Sequence, residues 1–419
     1  PRGRRGPPRE LAGLARRALT VLADDGLWRV DRRGRATRLR DVGDAALLQA
    51  PPPPGARFAA NPRPPARPLA LRDGSDIGWL GPDTAGLKLD PGCEPVSVSR
   101  SSAVAVCRGP GGRRDVRLGQ AGGGWRTILV LNAGMADVRP AGLQMVRPKG
   151  ASAPSWLYLP TTPAPPAGHP LVVMPYRGAI YPRPEPRFEA GAFVTYLNPQ
   201  LLAAAGYAVL VPSLPYDESR GEPAAGLAAD LSPIVDAALA AHRLDPARIG
   251  LWGHSFGGMN VIAAAAQSPR FRSVIAVSGQ HDLISRWGVF PIHRWIVPED
   301  NASIGPPGTV EGAQSRTRAP PWADPDRYLR NSNIFAADRI TVPVLLVHGE
   351  TDELRIEQSQ EMFTALYRQG KDAQMVTYWG EGHALASPAN IRDYFARVLD
   401  WLEATLPAAN AAGLAPSPP

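Results

Sequence analysis

The sequence predicts an α/β protein built on a doubly wound, mainly parallel sheet, with an all-β segment ahead of it. Three observations carry this reading. A Gly-x-Ser-x-Gly turn from Gly253 to Gly257 joins an apolar strand to an alanine-rich helix. From Trp156 onward, apolar strand-like runs alternate with helical stretches, the pattern of βαβ units. Before about residue 150 the chain shows instead short strand-like pieces separated by turns.

In residues 1–145, Arg9 to Ala23 has the spacing of an amphipathic helix, and its arginines suit a solvated linker equally well. Strands are expected at Leu27 to Val30 and Thr37 to Leu39 around an Arg33-Gly34 turn. Others follow at Ile77 to Leu80, Pro95 to Cys107, Asp115 to Leu118 and Thr127 to Leu131. Pro51 to Pro54 and the proline-rich stretch to Pro68 are breakers. There is no clean repeat, yet the spacing resembles the blades of a β-propeller. At about 40–50 residues per blade and about 4–8 blades for closure, this length supplies three or four. The segment is therefore expected to be the remnant of a longer propeller truncated upstream of Pro1.

Residues 150–405 carry the α/β elements. Apolar runs at Leu171 to Met174, Tyr207 to Val211, Ile249 to Trp252, Val274 to Val277, Pro343 to Val347 and Gln374 to Tyr378 read as buried parallel strands. Helices are expected at Ala224 to His242, Met259 to Gln267, Ser359 to Gln369 and Ile391 to Leu402. Trp287 to Arg330, rich in Pro, Gly and Trp, is too long for a plain connection and is expected to cap the site below. Residues 406–419 read as a frayed tail.

Gly253-His254-Ser255-Phe256-Gly257-Gly258 is the nucleophile elbow of an α/β-hydrolase, a turn so sharp that its neighbours must be small. A small-residue turn without chemistry is the competing reading. What counts against it is an acid and a histidine later in the chain, in the order such enzymes use. Asp352 follows the strand ending in His348-Gly349, at the carboxyl end where α/β sheets place reactive groups. Glu350 and Glu353 read as solvated loop charges, and Asp282 is a further rival. His383 stands in Gly380-Glu381-Gly382-His383, a loop free to bend back over the sheet. His169, His242, His281 and His293 read as surface or packing residues, His254 as elbow filler, and His348 as orienting the Asp352 turn.

A serine hydroxyl is a weak nucleophile at neutral pH. His383 would take its proton and return it to the leaving group, with Asp352 fixing the imidazole tautomer. The N–H of Phe256 would supply one oxyanion donor. The loop after Leu171 to Met174 would supply the second, through the hydroxyl of Tyr176.

Taken together, Gly-His-Ser-Phe-Gly-Gly, His-Gly-x-x-Asp followed by Gln358-Ser359, Gly-Glu-Gly-His and Tyr176 ahead of Gly178 resemble the catalytic domain of the prolyl oligopeptidase family of serine peptidases. The resemblance spans about Trp156 to Leu402. It implies a triad at Ser255, Asp352 and His383, an oxyanion role for the Tyr176 hydroxyl, and a propeller ahead of the hydrolase domain. The Tyr176-Arg177-Gly178-Ala179 loop and the loop from Pro212 to Gly221 depart from the usual pattern, which bears on the substrate pocket rather than on the reaction.

The chain is 44% hydrophobic, so it is globular rather than disordered. A net charge of +8 invites an acidic partner. Its lysines are only Lys88, Lys149 and Lys371, and the arginines are scattered without a stripe, so no nucleic-acid partner is expected. Apolar runs such as Val261 to Ala266 fall far short of the roughly 20 residues of a membrane span. Cys93 and Cys107 are too few for a metal cluster. They either meet across a hairpin as a disulfide or remain buried thiols, and a disulfide would favour a periplasmic or secreted location.

The expected substrate is a peptide or small ester, and the expected chemistry needs neither metal nor organic cofactor. A serine peptidase acting on oligopeptides leads the readings. A carboxylic ester hydrolase on the same fold and a catalytically silent binding protein are the alternatives.

Overall fold

The computed structural model describes residues 10–408 apart from 16–17, 24–25, 42–45, 50–67, 80–85, 100, 110–111, 189–196, 217–221 and 290–304. The proline-rich stretch before Pro68, His293, part of the expected cap and most of the tail lie outside the described residues. The chain divides into two compact units, Pro1–Val138 and Arg139–Pro419.

Among its described residues the first unit contains three antiparallel sheets of four strands each, every sheet a simple meander. They are β1 (Glu10–Ala15) to β4 (Ala36–Asp41) with β2 (Ala18–Ala23) and β3 (Gly26–Asp31) between; β5 (Ala46–Gln49), β6 (Pro68–Asp73), β7 (Asp76–Trp79) and β8 (Leu87–Lys88); and β9 (Cys93–Val98), β10 (Ser102–Arg108), β11 (Arg114–Gln120) and β12 (Trp125–Leu131). The first strands of successive sheets, β1, β5 and β9, are near neighbours. Consecutive four-stranded meanders resemble the blades of a propeller.

One expectation is overturned here. The stretch from Arg9 to Ala23, read as a helix or linker, contains the antiparallel pair β1 and β2. Its local spacing permits a helix. Pairing of Ala18–Ala23 with Gly26–Asp31 satisfies the backbone and buries Val21 and Leu22, and that non-local gain outweighs propensity. The single run read from Pro95 to Cys107 is two strands, β9 and β10, in antiparallel register with Cys93 opposite Cys107. These two cysteines form a disulfide. It lies in a core with Ala70, Ile77, Trp79, Leu87 and Ala105.

The second unit is an eight-stranded sheet: β13 (Gly142–Val146), β14 (Ser155–Leu159), β15 (His169–Val173), β16 (Ala208–Val211), β17 (Leu244–His254), β18 (Ser273–Val277), β19 (Val344–Gly349) and β20 (Ala373–Tyr378). In space β15 and β16 exchange places, and every pairing from β16 to β20 is parallel. Only β14 runs against the others, since it pairs antiparallel with both β13 and β16. Strand β13 falls mostly within the segment that the sequence grouped with residues 1–145, yet it is the edge of this sheet.

Both faces of the sheet are covered, so its central strands are continuously apolar. Leu171 and Val173 of β15 point into one layer and Val172 into the other. Among the described residues the helices are α1 (Pro199–Ala204), α2 (Leu227–Ala241), α3 (Phe256–Gln267), α4 (Leu283–Gly288), α5 (Gly305–Glu311), α6 (Pro325–Asn331), α7 (Glu357–Tyr367) and α8 (Pro388–Thr405). Helix α3 is buried on nearly every side, because Ala263 to Ala266 add little bulk and let it press close to the sheet. Helix α8 begins with Pro388 after Ser387 and buries Tyr394, Phe395, Val398, Trp401 and Leu402, an apolar face at helical spacing. No helix among the described residues is long and apolar enough to cross a membrane.

Candidate active site

Strand β17 runs to His254 and α3 starts at Phe256, so Ser255 alone makes the turn. Its φ of 60° lies in the left-handed region, which costs a non-glycine residue of order 1–3 kcal/mol. The neighbours hold it there: the Ser255 N–H donates to the Val277 carbonyl (2.8 Å). A Cβ on Gly253 would overlap the Gly257 carbonyl, and one on Gly258 would stand 2.9 Å from the Val277 carbonyl. Crowding therefore dictates the small residues of the elbow.

Asp352 follows β19 and His383 follows β20, on neighbouring parallel strands whose carboxyl ends lie beside the elbow. The Ser255 hydroxyl donates to Nε2 of His383 at 2.9 Å. Nδ1 of His383 donates to both carboxylate oxygens of Asp352, at 2.9 and 3.0 Å. A carboxylate only accepts, so the proton sits on Nδ1 and Nε2 is left to accept from the serine. Asp352 is buried while Ser255 and His383 are partly open to solvent, so the hydroxyl is approachable and the charge behind it is shielded. Burial pushes the Asp352 carboxyl upward, but hydrogen bonds and charge from His348 and His383 outweigh it and hold the group far below the usual carboxylate range.

The rivals of Asp352 occupy other posts. Asp282 caps α4 through the Ile284 N–H (2.8 Å), Glu350 accepts from the Gly380 N–H (2.9 Å), and Glu353 is exposed. His348 is fully buried, with Nδ1 2.7 Å from the Ser359 hydroxyl and Nε2 3.3 Å from Asp352 Oδ2. Gln358 accepts from the N–H groups of His281 and Asp282, tying α7 to the turn after β18.

The histidine loop is clamped by Glu381. Its carboxylate accepts from the N–H groups of Ala386 and Ser387 and from the Asn390 amide, at 2.7, 3.0 and 2.7 Å. Burial opposes its charge, yet these three donors win and lower its pKa. Its carbonyl accepts from Thr351, joining this loop to the Asp352 turn. A Cβ on Gly349 would strike the Glu381 and Gly382 carbonyls, so the two loops meet only because residue 349 is glycine.

Tyr176 lies against the elbow, its ring edge-on to Phe256 at 5.8 Å between centroids. The next residue, Arg177, is buried; its N–H donates to Asn260 on α3 and its guanidinium pairs with Asp230 on α2. The tyrosine loop is thus pinned to two helices. The Phe256 N–H is the first of α3 and has no carbonyl within the helix to meet it. Tyr176 therefore stands beside Phe256, the residue that follows Ser255 in the elbow. The arrangement suits attack by an activated serine on an acyl group. No cluster of three or more His, Cys, Asp or Glu side chains suited to a metal occurs among the described residues.

Sequence reasoning missed several supports: His254, whose Nε2 reaches the His383 carbonyl; Arg177; Glu381; and Gln314, which meets the Tyr176 hydroxyl. For His254 and Arg177 the one available signal was adjacency to Ser255 and Tyr176.

The sequence profile of the prolyl oligopeptidase family matches residues 193–303 and 309–408, just over half of the chain. The uncharacterized peptidase YuxL of Bacillus subtilis is 25% identical over 275 residues, covering 62% of this chain and 37% of the relative. Dipeptidyl-peptidase 5 of Porphyromonas gingivalis is 27% identical over 243 residues, covering 54% of this chain and 33% of the relative. The chain thus spans about a third of the length of these relatives. Among solved structures, a Mycobacterium tuberculosis puromycin-hydrolyzing peptidase aligns over 95% of this chain and 61% of its own, with a TM-score of 0.55 and 18% identity. The acylaminoacyl peptidase of Pyrococcus horikoshii aligns over 97% and 72%, with a TM-score of 0.53 and 15% identity. These structures share the fold, an α/β-hydrolase sheet preceded by β-sheets, and the sequence match over the second unit decides the kinship: the chain belongs to the prolyl oligopeptidase family.

Proposed function

We propose that this protein is a serine peptidase that hydrolyses peptide bonds of oligopeptides through an acyl-enzyme on Ser255. The observation that carries the proposal is the continuous hydrogen-bonded chain from Ser255 through His383 to Asp352. His383 removes the serine proton as Oγ attacks the carbonyl carbon, and Asp352 stabilises the resulting imidazolium. The tetrahedral oxyanion is met by the Phe256 N–H and the Tyr176 hydroxyl. Collapse expels the amine, which takes its proton from His383. Water, activated by the same imidazole, then attacks the acyl-enzyme and frees Ser255. The relatives are peptidases by name, which supports an amide as the scissile bond. The Cys93–Cys107 disulfide supports an oxidising, extracytoplasmic setting.

The test is a fluorophosphonate probe, which reacts with activated serines, followed by peptide mapping and a panel of peptide and ester substrates. Labelling confined to Ser255, abolished in Ser255→Ala, together with peptide turnover is the expected result. A folded protein that takes no label would overturn the proposal, and turnover of esters alone would move it to the ester hydrolases.

A further inference from the structure

Helix α4 follows the strand that lies between the serine and the acid. In the sheet β18 stands between β17, which ends at the elbow, and β19, which leads to Asp352. The carbonyl of Val277, the last residue of β18, accepts the Ser255 N–H, so the chain that continues into α4 leaves the sheet directly beside the serine. The helix is fixed in place. Asp282 caps it, the Leu283 N–H donates to the Ser332 hydroxyl at 2.8 Å, and the Ser285 hydroxyl donates to Glu361 and accepts from Gln358, at 2.9 and 2.7 Å. Arg286 stands on this helix and is only 5% exposed.

Its guanidinium lacks what a buried charge normally has. Nε and Nη1 are buried and have no hydrogen-bond partner. Arg177, also buried, shows the usual solution, since it donates to the Ala225 carbonyl and pairs with Asp230. Burial is the largest influence on Arg286 and lowers its pKa; the charges of Glu353 and Asp352 oppose it, acting through space rather than through a hydrogen bond. Neither carboxylate answers the guanidinium. Asp352 is already engaged by His383, by His348 and by the Leu354 N–H at 2.7 Å, and Glu353 is exposed. Arginine keeps its proton even when buried, and a buried charge without acceptors is strongly destabilising. Beside a reactive serine, such a group points to a ligand that supplies the acceptors.

The rigid fork of a guanidinium matches a carboxylate. We infer that Arg286 is a specificity-determining residue that takes the side-chain carboxylate of an aspartate or glutamate in the substrate residue that acylates Ser255. The inference rests on the peptidase reading above and names its substrate class. The acylating residue is bonded to Ser255 beside β18, whereas the leaving amine faces His383, whose loop comes from β20, two strands further on. The net charge of +8 acts in the same sense, because it draws acidic peptides toward the protein.

The experiment uses fluorogenic peptides identical except for the acylating residue, which is Glu, Gln, Asp or Asn. They are given to wild type, Arg286→Lys and Arg286→Met in the full chain, and the readout is the ratio of kcat/KM for acid over amide. Glutamine matches glutamate in shape, so the ratio isolates the charge. Two substrates read on one sample also cancel any loss of folded enzyme. A charge-assisted, two-pronged contact should give wild type a ratio of about 10², expressed chiefly in KM because the contact exists before the transition state as well as in it. Arg286→Lys keeps the charge without the fork and should retain a ratio of about 10, and Arg286→Met one of about 1. A wild-type ratio at or below unity, or a wild-type ratio retained in Arg286→Met, would overturn the inference while turnover of the amide peptides left the peptidase reading standing. Where Arg286→Met yields no folded protein, Arg286→Lys decides, and an undiminished ratio in that variant overturns the inference. A wild type with neither turnover nor fluorophosphonate label would bring down the peptidase reading and this inference with it.

Discussion

The imidazole of His254 hydrogen-bonds through Nε2 to the backbone carbonyl of His383 at 2.6 Å, so the residue before Ser255 holds the loop that carries the imidazole facing that serine. The two rings lie 4.5 Å apart. A carbonyl can only accept, which fixes the His254 proton on Nε2. The elbow and the histidine loop are therefore joined in two places, through the Ser255 side chain and through this bond. Replacing His254 by Phe keeps a ring and removes the donor. We expect kcat to fall by about 10–10²-fold, since small misplacements of a reacting group carry costs of that order. Circular dichroism and a thermal melt close to wild type would separate this from unfolding. Unchanged kcat would show that the Ser255 bond alone holds His383.

His254 and His281 give the protein a specific acid sensitivity. Burial, reinforced for His254 by the neighbouring His383 and for His281 by His348, pushes both down to about 3 from an ordinary 6.5. Both are neutral in the folded chain. Between pH 6.5 and 3 the unfolded chain binds more protons at these sites than the folded one, so stability falls as pH decreases through that window. The slope is about 1.4 kcal/mol per pH unit for each histidine once it is fully charged in the unfolded state. Urea titrations at pH 7, 6 and 5 read it before the carboxylates intervene. His254→Phe should reduce the slope by about one proton, and a wild-type stability flat over this range would contradict the assignment.

Much of this site was legible because its signals are local or ordered along the chain. The elbow advertises itself: steric crowding at Gly253 and Gly258 and a single strained serine between strand and helix leave a short signature in the sequence. Asp352 and His383 each follow an apolar run, and a strand's carboxyl end is where such groups belong. What escaped notice depends on contacts between distant residues. Gln314 meets Tyr176 across 138 positions and Arg177 meets Asp230 across 53, and neither pair has any local pattern. The β1–β2 hairpin was misread for a related reason. Its helix-like spacing is a property of the segment, whereas its pairing with β3 is a property of the sheet.

Asp352 is held from two sides, and the side away from His383 should matter for stability as well as rate. His348 fills the space between Asp352 and the Ser359 hydroxyl, fully buried. His348→Leu leaves a buried carboxylate with one imidazole instead of two and strands the Ser359 hydroxyl. Each polar group so abandoned costs about 1–3 kcal/mol. We expect a loss of about 2–4 kcal/mol in denaturant unfolding, a lower kcat, and a smaller effect in Ser359→Ala, which touches Asp352 only through His348. Equal effects of the two variants would place the importance of the pair in packing rather than in support of the carboxylate.

The Cys93–Cys107 disulfide belongs to the first unit, and its removal should separate the stability of that unit from the chemistry of the second. The cysteines face each other across β9 and β10 and are 14 residues apart in sequence, and a closed loop of about that length restricts the unfolded chain by about 3 kcal/mol. Both sulfurs lie in the small core around Ile77 and Trp79, a core with few other residues to spare. In the full chain, a Cys93→Ala/Cys107→Ala variant should therefore show an earlier melting transition for the β-rich unit. Ser255, His383 and Asp352 draw every support described above from residues after Arg139. Phosphonylation of Ser255 should accordingly proceed at the wild-type rate below that transition. Loss of labelling at temperatures where the second unit is still folded would mean that the β-rich unit helps to assemble the site, and that the supports found within residues 139–408 are not sufficient.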